Sequence, residues 1–376
     1  MSEKRVHFAI FDQMRALAIL TIVVYHLLQE IFGVGFLIKP DGIGNNLERL
    51  KIFGDNFLLN LLVSPFAYGF AAVSVFIVLS GFGLRWSMIG KEKINWKEFY
   101  QRRLIKLLIP FYVVLLISLL LLSGRNFFFP NLSWWPNYSW LDWLKYLFPP
   151  FMVYDMAWMQ QIEGAFWFMA LILQLYLLFP LLQIGLDRWK FKKFLLFLLT
   201  ATLIYRFIAT YWLSTAPLGV VNGEINSYYG FVFFLPRLFE FGMGMVLAEK
   251  LKEWKKIPGS WLSGWVFLTG VGLSVLGVAL NYWQFGWIFS DLIAAIGVFI
   301  VFLNIANLCR NLGLLERIGG FSYEIYLLHH QVLKFVFLPF ILAIKWPNFL
   351  TFWIVLPVYL SVSVFAGYLV NRLIKR

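Results

Sequence analysis

Charge, cysteine and long polar tracts are what this chain has least of. Only 14% of its 376 residues are Asp, Glu, Lys or Arg, against 61% hydrophobic. No soluble domain of this length needs so much apolar surface. The single cysteine, Cys309, excludes an intramolecular disulfide. Glycine loops of the P-loop or dinucleotide type are missing, which removes the usual signatures of nucleotide binding. Ser80 lies in VLSGFG rather than G-x-S-x-G, so the nucleophile elbow of the α/β-hydrolases is missing too. His329 and His330 are adjacent rather than three or four apart, with no cysteine or carboxylate cluster to support them, and no metal is expected. The short alternating segments of a membrane β-barrel are also absent.

What is present is a series of apolar runs close to the ~20 residues that a spanning helix requires. They predict an all-α, polytopic membrane protein with about ten transmembrane helices, over 8–31, 63–84, 104–123, 164–184, 194–213, 231–250, 260–281, 287–308, 319–343 and 349–371. The 41 Phe, 17 Trp and 17 Tyr fit such a protein, whose interfaces favour aromatic rings. Lys4 and Arg5 precede the first run as in a signal peptide. That run is too long, carries Arg15 and offers no small-residue cleavage site, so it is expected to be retained.

Orientation follows from the basic residues. With the N-terminus cytoplasmic, the inner segments hold 22 of the 32 Lys and Arg (Lys106 counted at its helix entry), and the outer segments hold 6. Arg15, Arg206, Arg237 and Lys334 fall within spans. Both termini are therefore expected in the cytoplasm. The net charge of +13 becomes mostly a topology signal, and no nucleic-acid partner is expected. One inner segment is unusually basic, with Arg85, Lys91, Lys93, Lys97, Arg102, Arg103 and Lys106. It suits anionic lipid or a phosphate-bearing ligand equally on charge alone. The outer loop of about 40 residues before the fourth span is rich in Trp, Tyr, Phe and Pro and suits the membrane interface. No repeat, low-complexity tract or soluble appended domain is visible, and residues 1–376 read as one domain. Oligomeric state is not legible.

Ionisable residues inside the membrane are costly and mark sites by default. Arg15 and His26 share the first span, eleven residues apart in numbering. Eleven helical steps place them on one face, about 16 Å apart along the axis. Arg237 and Glu240 are three apart and can pair. Together with Arg206 and His26 they fall in the outer half of the membrane and are expected to meet in one pocket. Mutual neutralisation of Arg237 and Glu240 is an equally good account of that pair. Span nine adds Glu324, His329 and His330 near mid-depth, with one imidazole expected to donate a hydrogen bond to a neighbouring helix. Gly81 and Gly83 are expected to permit close helix approach.

Six segments, in order along the chain, resemble the acyltransferase-3 family of integral membrane proteins. FDQMRALAILTIVVYH is similar to its first-helix motif, a basic residue followed by ten residues and then a His, matched by Arg15 and His26. VFIVLSGFGL and FYQRRLIKLLIPFY resemble its second-helix motif and its arginine-rich third-helix entry. FWFMALILQLYLLFPLL, RLFEFGMGMVLA and SYEIYLLHHQVL match later segments. Many members carry carboxylates in the fourth-helix segment, where this chain has Leu171, Ile172 and Leu173. Lys106 stands where an arginine is common, keeping the charge and losing the planar fork.

The resemblance implies a membrane-bound O-acyltransferase that takes an acyl group, usually acetyl, from cytoplasmic acyl-CoA. The acceptor would be a hydroxyl of a carbohydrate or cell-surface glycan, at the cell (inner) membrane. Arg102, Arg103, Lys106 and Arg15 are the expected donor-binding cations. His26, with Arg15, is expected to be catalytic, as a general base or an acyl carrier. Arg206, Arg237, Glu240 and His329 are the expected acceptor contacts. Two other classes stay open on the residues: an exporter of a glycan or lipid-linked sugar, with Arg237 and Glu240 as gate or relay, and a non-catalytic membrane sensor.

Overall fold

The computed structural model describes residues 3–32, 44–45, 48, 51, 54–91, 95–128, 166–216, 232–254, 256–343 and 346–375. Most of the aromatic-rich outer loop, 129–165, lies outside the described residues. Among these residues the regular structure is helical throughout, as the composition requires. The helices are α1 Glu3–Phe32, α2 Phe57–Ala67, α3 Val73–Trp86, α4 Trp96–Phe128, α5 Trp167–Arg188, α6 Phe191–Tyr211, α7 Leu238–Trp254, α8 Gly264–Leu280, α9 Ser290–Leu308, α10 Gly313–Gly319, α11 Ser322–Val332, α12 Leu338–Ala343 and α13 Asn348–Ile374. A 3-10 turn, Gly69–Ala72, joins α2 to α3. A π-helical turn, Leu333–Phe337, joins α11 to α12.

Among the described residues eight helical segments are long and apolar enough to cross a membrane: Ala9–Phe32, Phe57–Trp86, Trp96–Gly124, Trp167–Arg188, Phe191–Tyr211, Ser290–Leu308, Ser322–Ala343 and Asn348–Ile374. The other two expected spans fold as α7 and α8, each of 17 residues. Helix starts follow local chemistry. Asn56 accepts from Leu59 N at 3.1 Å, Asn95 from Glu98 N at 3.2 Å and Ser263 from Val266 N at 3.4 Å, so side-chain oxygens serve backbone donors that the first turn leaves open. Hydroxyls within the spans turn back on their own helices. Ser118 donates to Val114 O and Ser274 to Gly270 O, both at 2.8 Å, which satisfies them where lipid offers no partner.

The described residues fall into two compact units that interleave along the chain. The first draws on Met1–Ile89 and Leu175–Gly320. There α1 packs on α9, α10 and the Gly69–Ala72 turn, α3 packs on α7, and α8 packs on α9. Glycine sets the α3–α7 distance. A Cβ on Gly81 would lie 2.0 Å from Phe241 O, and one on Gly244 would lie 1.9 Å from Val78 O. Of the two glycines expected to do this, Gly81 does and Gly83 does not: among the described residues nothing comes within 4 Å of a Cβ on Gly83. An apolar cluster of Tyr25, Phe70, Ala71, Ala216, Tyr282, Trp287 and Ala294 closes the end of α1 that carries His26.

The second unit draws on Gly90–Gln174 and Phe321–Arg376. In it α11 packs between α4 and α13. Tyr323 donates to Leu107 O at 3.0 Å, and Asn371 donates to Glu324 at 2.6 Å, tying α11 to both neighbours.

Candidate active site

The turn of α1 that carries Arg15 is held on three sides by the first unit. Arg15 Nη1 meets Asp12 Oδ1 at 2.5 Å, one helical turn back, with both side chains about a quarter to a third exposed. Gln13 is buried, and its Nε2 donates to the carbonyls of Cys309 at 3.3 Å and Arg310 at 3.1 Å. These carbonyls follow the last turn of α9, where backbone acceptors lack an intrahelical partner. Gly319, at the end of α10, lies so close that a Cβ there would sit 1.8 Å from Asp12 O. The guanidinium is therefore presented from a fixed backbone, with Asp12 engaging one of its five N–H donors.

Toward the other end of α1, His26 Nδ1 lies 2.9 Å from Gln29 Oε1. The Gln29 amide donates its Nε2 hydrogen to Tyr25 Oη at 2.8 Å. Tyr25 is buried, with its ring 5.0 Å from that of His26 and 5.9 Å from that of Phe70. Gly69 makes this packing possible: a Cβ there would lie 2.7 Å from Tyr25 Cβ.

Arg237, in the 3-10 turn Leu235–Arg237 that leads into α7, pairs with Glu240 in the first turn of α7 as their spacing predicts, and Arg206 of α6 lies beside them. A fourth residue joins them, Asp291 in the first turn of α9. The four are 3%, 2%, 0% and 5% exposed, taken as Arg206, Arg237, Glu240 and Asp291. Arg237 donates to Glu240 at 2.9 Å and lies 3.0 Å from Asp291; Arg206 lies 3.4 Å from Asp291 and 3.9 Å from Glu240. Arg206 also donates through Nη2 and Nε to Pro236 O, at 2.8 and 3.2 Å. Two cations and two carboxylates leave no formal net charge, the arrangement that makes so many buried charges tolerable. Arg206 Nη1, Arg237 Nε and Glu240 Oε2 have no hydrogen-bond partner among the described residues.

The remaining expected residues lie in the second unit. His329 is fully buried, and its Nδ1 donates to Tyr326 O at 2.6 Å on its own helix. Tyr359 of α13 donates to the His329 carbonyl at 3.0 Å, which ties α11 to α13 at this level. On α4, Arg102 pairs with Glu98, and the Arg103 guanidinium lies 5.9 Å from the centroid of the Phe99 ring. Arg102 and Lys106, four apart, are exposed along one helix face, with Arg103 partly so. Arg85 does not belong with these cations. In the first unit its Nη2 meets Asp187 at 2.5 Å and its Nε meets Glu249 at 2.6 Å, which commits it to holding α3, α5 and α7.

A family model described as an acyltransferase domain, acyltransferase-3, matches residues 8–372. That is nearly the whole chain, both Arg15 and His26 included. The chain belongs to the acyltransferase-3 family. No curated protein and no solved structure matches it in the same comparisons. Family membership together with the apolar helices makes this a multi-pass membrane protein, and an acyl-transferring enzyme by class.

In this acyltransferase-3 chain the fourth-helix segment is apolar at three successive positions. Leu171, Ile172 and Leu173 are all buried, so the fourth-helix segment contributes core at these positions rather than a carboxylate. Sequence reasoning missed Asp12, Asp291 and Gln29. Asp12 and Gln29 carry a faint signal, each lying three residues from a functional candidate on the same helix. Asp291 carries none, because its partners are distant in sequence.

Proposed function

We propose that this family member moves an acyl group, most readily acetyl, from cytoplasmic acyl-CoA to a hydroxyl of a carbohydrate or cell-surface glycan. The observation that carries the reading is the family match across Arg15 and His26, two ionisable residues on one face of a membrane helix. In this reading both termini are cytoplasmic, the chain crosses the cell (inner) membrane ten times, and the donor arrives at the basic inner face. Arg102, Arg103 and Lys106 take the phosphates of CoA, a task suited to a row of exposed cations. Arg15 is a further donor contact, anchored by Asp12.

His26 is the general base. A sugar hydroxyl is too weak an acid to attack a thioester unaided. Its oxygen attacks the thioester carbonyl as the imidazole takes its proton. The new C–O bond forms, the C–S bond breaks, and the imidazolium returns that proton to the departing CoA sulfur. Products are an O-acyl ester and free CoA. Arg206, Arg237 and Glu240 orient the acceptor, with His329 as a further contact. Because the charges of the buried cluster cancel against Asp291, a neutral polyol suits it better than an anion. The three polar atoms without partners among the described residues are of the kind that sugar hydroxyls satisfy.

The test uses detergent-purified wild type and His26→Ala with acetyl-CoA and a surface-glycan acceptor. Wild type is expected to form an O-acetyl ester, and His26→Ala to bind acetyl-CoA while losing about a hundredfold or more of the rate. Transport of an unmodified glycan with no ester formed, or no binding of any acyl-CoA by wild type, overturns the proposal in favour of an exporter or a sensor.

A further inference from the structure

We propose that Gln29 is a positioning residue. Its side-chain oxygen holds the Nδ1 proton of His26, fixing the tautomer that places the basic lone pair on Nε2. The inference rests on the reading of His26 as the base, but the arrangement it describes can be measured without any reaction.

A neutral imidazole has one N–H and one lone pair, and its two tautomers differ in which nitrogen carries which. Only the nitrogen with the lone pair can act as a base. His26 Nδ1 lies 2.9 Å from Gln29 Oε1, so what Gln29 presents decides the tautomer. A glutamine amide has a donating and an accepting end, and in the structure the accepting end faces the ring. Gln29 Nε2 donates to Tyr25 Oη at 2.8 Å while Oε1 faces His26. An amide oxygen only accepts, so the proton must be on Nδ1.

Tyr25 is a firm anchor for the amide. It is 4% exposed and packs in the apolar cluster with Phe70, Trp287 and Ala294. All three members stand within about one turn of α1, so the relay comes pre-assembled with the helix. The logic is that of a base whose second nitrogen is held by an orienting group, as an asparagine does in papain-like proteases. A neutral amide has a particular merit within a membrane, because it adds no further charge at that depth. It also cannot take the proton it holds. The proton gained at Nε2 from the acceptor hydroxyl therefore stays on His26 until the CoA sulfur receives it.

The deciding measurement is 15N NMR of histidine-labelled full-length protein in lipid bilayers, at a pH above the ordinary imidazole range. The chain has four His, and His26→Gln identifies the His26 signals by their loss. Wild type is expected to show Nδ1 protonated and Nε2 bare, and Gln29→Leu to lose that preference. A wild type protonated at Nε2 overturns the proposal even if no variant folds, as does an unchanged tautomer in Gln29→Leu. In the transfer assay, Gln29→Leu should lower kcat about tenfold or more at an unchanged KM for acetyl-CoA. Gln29→Glu, which keeps an acceptor oxygen, should recover most of the rate, and Tyr25→Phe should cost less than Gln29→Leu. A Gln29→Glu variant as slow as Gln29→Leu would mean that Gln29 supports packing only. If wild type has the expected tautomer but transfers nothing, the functional reading fails and the orienting role of Gln29 stands.

Discussion

Single residues in this protein act through what stands opposite them. Asp291 is the clearest case, because Arg237 and Arg206 lie 3.0 and 3.4 Å from one carboxylate oxygen. Asp291→Ala leaves two buried guanidinium groups to share Glu240. It should lower stability by about 3 kcal/mol, the usual effect of removing one partner from a buried pair. Thermal unfolding in detergent reads this directly. Removing one cation with it, as Arg206→Met with Asp291→Ala, leaves the balanced Arg237–Glu240 pair and should recover most of the loss. Arg15 depends on shape as much as on charge. Arg15→Lys replaces a planar fork with a single ammonium, which cannot meet Asp12 in one direction and a donor phosphate in another. An approximately tenfold fall in kcat/KM is expected, with most of it in the KM for acetyl-CoA. An unchanged KM would remove Arg15 from donor binding. At this scale the sequence was informative wherever partners lie within one helical turn. Arg237 and Glu240 announce their pairing by spacing, whereas Asp291 enters from another helix, and no local pattern points to it.

Helices here are placed by contacts too close for any side chain to intervene. A Cβ at Gly244 would sit 1.9 Å from Val78 O, so Gly244→Ala must part α3 from α7 or bend one of them. A loss of about 1–3 kcal/mol is expected, as for other overpacked interfaces. Gly83→Ala is the control. It lies on α3, nothing stands within 4 Å of its new Cβ, and alanine favours a helix by up to ~1 kcal/mol. It should be neutral or slightly stabilising in the same melt, and equal losses in the two variants would mean that close approach is not what Gly244 provides. The sequence marks Gly81 and Gly83 alike, because apolar periodicity does not say which glycine meets a neighbouring backbone. The same limit hides the wedge at Asp12, where Gly319 and Gln13 secure the turn below Arg15 from α10 and from the end of α9. The all-helical class, by contrast, was legible. Apolar runs of membrane length leave the backbone no other way to satisfy itself in lipid.

For the molecule as a whole, the open quantity is how many times the chain crosses the bilayer, and it turns on α7 and α8. Each has 17 residues, about 25 Å of helix, at the lower limit for a spanning segment. Two arguments favour crossing. Lys250, Lys252, Lys255 and Lys256 gather where α7 ends, which is the mark of a cytoplasmic loop. The charges at the start of α7 are neutralised by Arg206 and Asp291, which removes the main cost of placing that turn within the membrane. The location of the C-terminus does not separate eight crossings from ten, since losing a pair leaves the parity unchanged. The loop between α7 and α8 does. In a Cys309→Ala background, Ser260→Cys should react with a membrane-impermeant maleimide only after cells are opened, while Gln284→Cys should react on intact cells. Both residues are exposed in the structure, so a failure to label reports the barrier rather than burial. Labelling of Ser260→Cys on intact cells would make α7 and α8 a re-entrant pair. The charge cluster is buried by the protein itself in either topology, so its two acids and two arginines stay mutually dependent. The loss expected for Asp291→Ala is therefore the same for eight crossings and for ten, and the labelling pattern alone decides between them.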